Sequence, residues 1–152
     1  MAAQGNTITV TVQTGDFDPV EQETLLRGKG HGVGAIATFT GYVRADGGVS
    51  RMQLEHYPGM TEKSITAIAE QACGRWQLLA VRVIHRVGLL QAGDRIVYVG
   101  IASAHRGDSF AACEFIMDYL KTRAPFWKKE YSAQGEHWVE ARQSDNDAAS
   151  RW

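Results

Sequence analysis

The run Ile96-Val97-Tyr98-Val99-Gly100-Ile101 constrains this chain more than any other segment. Its apolar residues do not alternate with polar ones. As a strand it has no face to give to water, so it belongs in the middle of a sheet that is covered on both sides. Gly93-Asp94 turns the chain into it. Just beyond it, Phe110, Cys113, Met117 and Leu120 recur at helical spacing between Arg106 and Arg123, and Pro125 closes that helix because proline disfavours the helical conformation at the residue before it. A central strand followed by a long helix is the frame on which the other elements must be placed.

Those elements are a mixture. Ile8, Val10 and Val12 alternate with Thr7, Thr9, Thr11 and Gln13, the period of a half-buried strand. Asp16 or Asp18 can cap a short helix with Pro19 at its first position, running through Glu21 to Leu26. Val33–Val43 and Met52–Tyr57 read as strands, joined by a mobile turn around Ala45-Asp46-Gly47-Gly48, and the simplest expectation is that they pair with each other. Pro58 opens a helix to about Trp76, with Met60, Ile65, Ile68, Ala69 and Ala72 sharing a face. Val81, Val83 and Val87 mark a further strand. Phe126–Tyr131 and His137–Ala141 read as two short strands around Ala133-Gln134-Gly135, and Ser144–Trp152 as a docked tail, since an exposed terminal Trp would leave much apolar surface wet. Strands and helices mix irregularly, so the fold class is α+β. At 152 residues and 44% hydrophobic content, a single domain spanning 1–152 is expected.

Composition excludes several classes. Sixteen Lys and Arg against 17 Asp and Glu give a net charge of −1, so no global field draws the chain to nucleic acid or to a membrane surface. No apolar run approaches the ~20 residues that span a bilayer, and the first residues lack the pattern of a secretion signal, which reads as cytoplasmic. Cys73 and Cys113 are forty positions apart and read as buried thiols. The five histidines show no metal-ligand spacing, so no metal or other resident cofactor is expected. Gly28, Gly30, Gly32 and Gly34 follow a helix and open a strand, the reverse of a dinucleotide loop, and read as a connector. Arg106-Gly107-Asp108 has no secreted context that would make it an adhesion tripeptide.

Chemistry concentrates between His105 and Lys129, where five cationic residues face three acidic ones. His105 and Arg106 stand where a strand ends and a helix begins, a place that offers unpaired N–H groups to an anion. Equally, Ser103 or Asp108 can cap the helix there while both residues are solvated. Lys121 precedes Pro125 and Lys128 follows it, so a reversal of the chain can bring two ammonium groups together. A lysine starts near ~10.4 and becomes a base or nucleophile only when a cationic neighbour and partial burial ease its deprotonation. Lysines in a last turn also simply complement the helix dipole. Phe126-Trp127-Lys128-Lys129-Glu130-Tyr131 interleaves aromatics with lysines, as a base-stacking surface or a strand with one buried face would.

Three groups of blocks carry a more specific signal. They are Thr38-Phe39-Thr40-Gly41-Tyr42-Val43-Arg44 with Leu54-Glu55-His56-Tyr57-Pro58-Gly59-Met60, then Ile84-His85-Arg86-Val87-Gly88 with Ser103-Ala104-His105-Arg106, then Phe115 through Glu130 with Trp138-Val139-Glu140-Ala141-Arg142. In these blocks and over almost its whole length the chain resembles the large, catalytic subunits of molybdopterin synthase. The first 30 residues match weakly, and Ala92 stands where relatives often have proline.

The resemblance implies an α/β-hammerhead-like α+β fold, with a mixed, largely antiparallel sheet, two main helices and a small additional β subdomain. It implies a homodimer with a ubiquitin-like small subunit at each end, a heterotetramer in all. It further implies a sulfurtransferase reaction, in which the small subunit's C-terminal Gly-Gly thiocarboxylate gives sulfur to cyclic pyranopterin monophosphate in two transfers that build the molybdopterin dithiolene. By resemblance Lys121 and Lys128 are the catalytic lysines. Tyr42, Val43, Arg44, His105, Arg106, Lys129 and Glu130 match the substrate pocket, and Arg142 matches an arginine lent by the neighbouring large subunit. The Arg44–Ser50 loop is expected to order with ligand. A silent scaffold for a ubiquitin-like partner and a single-strand RNA module are the rival readings. Intact Lys121 and Lys128 argue against the first, and the net charge argues against the second.

Overall fold

The computed structural model describes residues 6–139 and 143–152. Its first sheet is built from β1 (Thr7–Gln13), β2 (Ala35–Tyr42), β4 (Leu78–Arg86) and β6 (Arg95–Ser103), in the order β1-β4-β6-β2. β1 runs parallel to β4, and the other neighbours are antiparallel. β6 is thus an inner strand, as its apolar run requires. Val97, Val99 and Ile101 face one layer of helices, formed by α2 (Met60–Arg75) and α3 (Arg106–Arg123), and join Ile65, Ile68, Phe115, Ile116 and Leu120 in the main core. Tyr98 and Ala102 face the other way, toward α1 (Pro19–Arg27) and the residues just before it, where Phe17 and Leu26 cover them. Gly100 makes room on that face: a Cβ there would collide with Leu26 and the Tyr98 ring. Two covered faces are why the run is apolar throughout.

The second sheet is smaller and wholly antiparallel, with β5 (Gly88–Gln91), β3 (Arg51–His56), β7 (Phe126–Ser132) and β8 (Gly135–Val139) in the order β5-β3-β7-β8. The α+β architecture, its mostly antiparallel pairing, its two main helices and this additional β unit are as expected. One pairing is not. β2 and β3 are consecutive but lie in different sheets, β2 against β6 and β3 between β5 and β7. The turn between them carries the chain across the junction, and long-range ladders with β6 and β7 outcompete a local hairpin.

Local chemistry sets the ends of the elements. The Asp18 side chain accepts from the Val20 N–H at 3.0 Å and Pro19 occupies the first position of α1. At the start of α2, the Glu62 carboxylate accepts from the Gly59 N–H at 3.2 Å. The Thr61 hydroxyl, fully buried, accepts from the Tyr57 N–H at 2.9 Å and donates to the Pro125 carbonyl at 3.1 Å. That last bond ties α2 to the turn between α3 and β7. The tail forms α4 (Gln143–Ala149) and ends with Trp152 edge-on to Trp76 and Phe115. Cys113, on the covered face of α3, is buried, whereas Cys73 is only partly covered. Among the described residues no helix is long and apolar enough to cross a membrane.

Candidate active site

α3 ends at Arg123, and Ala124-Pro125 reverses the chain into β7. Strand alternation then sends Phe126, Lys128 and Glu130 to one face of β7, and all three line a cavity of about 490 Å³ where the ends of the two sheets meet. Lys121, from the last turn of α3, lines the same cavity, so the reversal brings both lysines to one cavity. Tyr42, Val43 and Arg44 enter from the end of β2. Val43 is pinned there, its N–H donating to the Asp94 carbonyl at 2.9 Å and its carbonyl accepting from the Gly93 N–H at 2.8 Å. The far end of the Arg44–Ser50 segment is held as well, the Ser50 N–H donating to the Tyr131 carbonyl at 3.0 Å.

The floor is apolar, formed by Val49, Met52, Leu54, Ile96 and Leu120. The polar lining holds Arg44, Lys121 and Lys128 against Glu130 and Asp145, an excess of one positive charge over an apolar base. Glu130 lies 3.6 Å from the His137 ring nitrogen. Such a site suits an anionic molecule with a flat apolar part: the cations meet the charge, and the apolar residues at its base take the flat part.

Four of the residues matched by resemblance lie elsewhere within one chain or beyond what is described. Lys129 follows strand alternation to the opposite face of β7, where its ammonium lies 3.4 Å from Glu136 and 4.9 Å from the centre of the Trp138 ring. His105 caps α3 through its backbone alone, with no side-chain cap. It and Arg106 are exposed, and Ser103 donates to the His105 carbonyl at 2.6 Å. Arg106 and Lys121 stand at opposite ends of α3, about 22 Å apart at the helical rise. Arg142, with Glu140 and Ala141, lies outside the described residues.

His85 lines the cavity and was not singled out from the sequence as a site residue. It lies on the same face of β4 as Val81 and Val83, so alternation was the one signal that could have placed it. Its ring stacks on Phe126 with centroids 4.0 Å apart, and Nδ1 lies 2.9 Å from the Arg86 carbonyl. Burial pushes its pKa down to about 4, with the charges of Lys121, Lys128 and His56 acting in the same direction, so the ring is neutral at pH 7. Another groove, of about 560 Å³ beside Arg51, Tyr131 and Glu136, is shallower and lacks a lysine pair. Among the described residues no cluster of His, Cys, Asp or Glu could hold a metal ion.

Fold and site together define an α+β protein with a cationic cavity at the junction of two sheets. The family profile described as MoaE protein matches residues 12–123. The molybdopterin synthase catalytic subunit of Ralstonia nicotianae is 56% identical over 147 residues, covering 95% of this chain and 84% of that protein. That of Pseudomonas aeruginosa is 54% identical over 146 residues, covering 94% and 97%. Among solved structures, the molybdopterin biosynthesis MoaE protein from Burkholderia ambifaria superposes with a TM-score of 0.84 at 51% identity, covering 96% of this chain and 98% of that one. The chain belongs to the MoaE family.

Proposed function

We propose that this chain is the catalytic subunit of a molybdopterin synthase, a sulfurtransferase of molybdenum cofactor biosynthesis. Sulfur passes from the C-terminal thiocarboxylate of a ubiquitin-like small subunit to cyclic pyranopterin monophosphate, and two transfers build the dithiolene. The observation that carries this reading is the convergence of Lys121, Lys128 and Arg44 on one cavity in a chain of this family. Both reactants are anionic and repel each other in water. Fixed cations offset that repulsion and hold phosphate and thiocarboxylate within reach, which turns an unfavourable encounter into a local one. The apolar floor suits the pterin.

In this reading Lys121 works beside the thiocarboxylate, as acid and base or by transient capture of the acyl carbon, and Lys128 orients the substrate. Tyr42, Val43, Arg44 and Glu130 line the substrate's place. His105 and Arg106 stand about 22 Å from Lys121 along α3, so they and Arg142 act in a pocket that a second copy of the chain completes. Dimerisation is then part of catalysis, and the working assembly is a heterotetramer. The test mixes the purified protein with thiocarboxylated small subunit and cyclic pyranopterin monophosphate and quantifies dithiolene. Wild type should form product. Lys121→Ala should lose at least about a hundredfold in turnover, the scale of a removed acid–base group, while binding the small subunit unchanged. No product from wild type with the small subunit bound would favour a silent scaffold.

A further inference from the structure

The roles above leave His85 unused, although it stands in the same cavity as both lysines. Its backbone is paired on each side, with Val12 of β1 and Val97 of β6, so a sheet rather than a loop holds it. The Arg86 carbonyl can only accept a hydrogen bond, so Nδ1 carries the ring proton and the 2.9 Å contact sets the orientation of the ring. Against that anchored ring lies Phe126, at 4.0 Å and an interplanar angle of 25°. Phe126 is the first residue of β7, and Lys128 is the next residue on its face. The stack therefore joins the first sheet to the second, two residues from one lysine and beside the other.

We propose that His85 is a positioning residue for the lysine pair: stacked on Phe126 and anchored to the Arg86 carbonyl, it sets where β7 holds Lys128 relative to Lys121. A neutral ring suits the task. A carboxylate at this place would cancel charge that the anionic reactants need, and a further cation would add to the repulsion among Arg44, Lys121 and Lys128. The cations and titratable groups that act on His85 come from three elements, Lys121 on α3, Lys128 on β7 and His56 on β3. The catalytic consequence rests on the sulfur-transfer reading, but the placement does not, and the two are tested separately.

Placement is read by acetic anhydride labelling of the folded protein, followed lysine by lysine by peptide mass spectrometry, with exposed Lys63 as the internal reference. His85→Ala, which removes the stack, should change the Lys128 labelling rate at least about threefold with Lys63 unchanged. His85→Phe, which keeps an aromatic ring against Phe126, should stay near wild type. His85→Asn keeps a donor without the ring and should follow His85→Ala, which decides the matter if the alanine variant does not fold. Wild-type labelling of Lys128 in His85→Asn, or equal changes in His85→Phe and His85→Ala, would overturn the placement.

In the sulfur-transfer assay, His85→Ala should lower kcat about tenfold or more with small-subunit affinity intact, and His85→Phe should restore most of it. An unchanged kcat in His85→Ala would overturn the catalytic consequence. Absence of product from wild type would count against the function instead, leaving the labelling result to stand by itself.

Discussion

Lys121 and Lys128 are separated by a helix end, one proline and the start of a strand, and that interval made their meeting legible from the chain alone. His85 was not legible in that way. Ile84 and His85 are adjacent in β4, yet Ile84 packs with Phe17 and Tyr98 under α1 while His85 faces the lysines, and only the placement of helices on the two faces decides which is which. Its titration yields a prediction at the residue scale. The folded ring protonates only near pH 4, the unfolded ring near 6.5, so between those values the unfolded state binds more protons. The contribution is complete above pH 6.5 and is lost as pH falls toward 4, about 3 kcal/mol in all. Urea unfolding of wild type and His85→Phe at pH 7 and pH 4.5 should show wild type losing about 2 kcal/mol more than the variant. Equal losses would mean that His85 is not held neutral by its surroundings.

At the scale of elements, glycines and the tail carry two further expectations. The Gly34 N–H donates to the Ser103 carbonyl at 2.9 Å, and a Cβ on Gly34 would strike the Ala104 carbonyl. The glycine run is therefore a connector with two constrained members, Gly34 by this close approach and Gly30 by its φ of +108°. Gly34→Ala should cost about 2 kcal/mol by forcing β2 away from the end of β6, whereas Gly32→Ala, whose nearest neighbour is a Leu79 methyl at 3.8 Å, should cost less than about 0.5 kcal/mol. Denaturant midpoints of the two variants decide this, and similar losses would reject the close approach as the cause. The tail is tied down by its last residue. Trp152 donates from Nε1 to Asp118 at 2.6 Å, accepts from Arg75 at 2.7 Å through its carbonyl, and packs edge-on to Trp76 and Phe115. Trp152→Ala should cost about 2 kcal/mol, less than a fully buried Trp because part of the ring stays wet. The exposed pairs of Arg151 with Glu114 and Asp118 should matter far less, which Arg151→Ala checks by the same unfolding curves.

For the whole molecule, the prediction concerns assembly. If a second copy supplies Arg142 to the pocket that holds Lys121, chains carrying Lys121→Ala and chains carrying Arg142→Ala are each inactive with themselves. A mixed dimer then holds one pocket with an intact lysine and an intact lent arginine. Co-refolding equal amounts should restore about a quarter of wild-type turnover, because random pairing gives half mixed dimers with one working pocket each. Activity no higher than the sum of the separate variants would reject the shared pocket.

Much of this protein follows from its sequence by itself. The uninterrupted apolar run places β6 inside a sheet, helical spacing and Pro125 delimit α3 at Arg106–Arg123, and the short interval across Pro125 brings both lysines to one place. These are local matters, set by periodicity, by proline's geometry and by chain length. The partition into two sheets, the separation of β2 from β3, and the stacking of His85 on Phe126 were decided by the tertiary structure. Each depends on which distant strand wins a ladder and which helix covers a face, and those contacts join residues far apart in the chain. Lys129 marks the boundary between the two kinds of information: alternation says that it and Lys128 face opposite ways, but only the packed molecule says which side of β7 is the cavity.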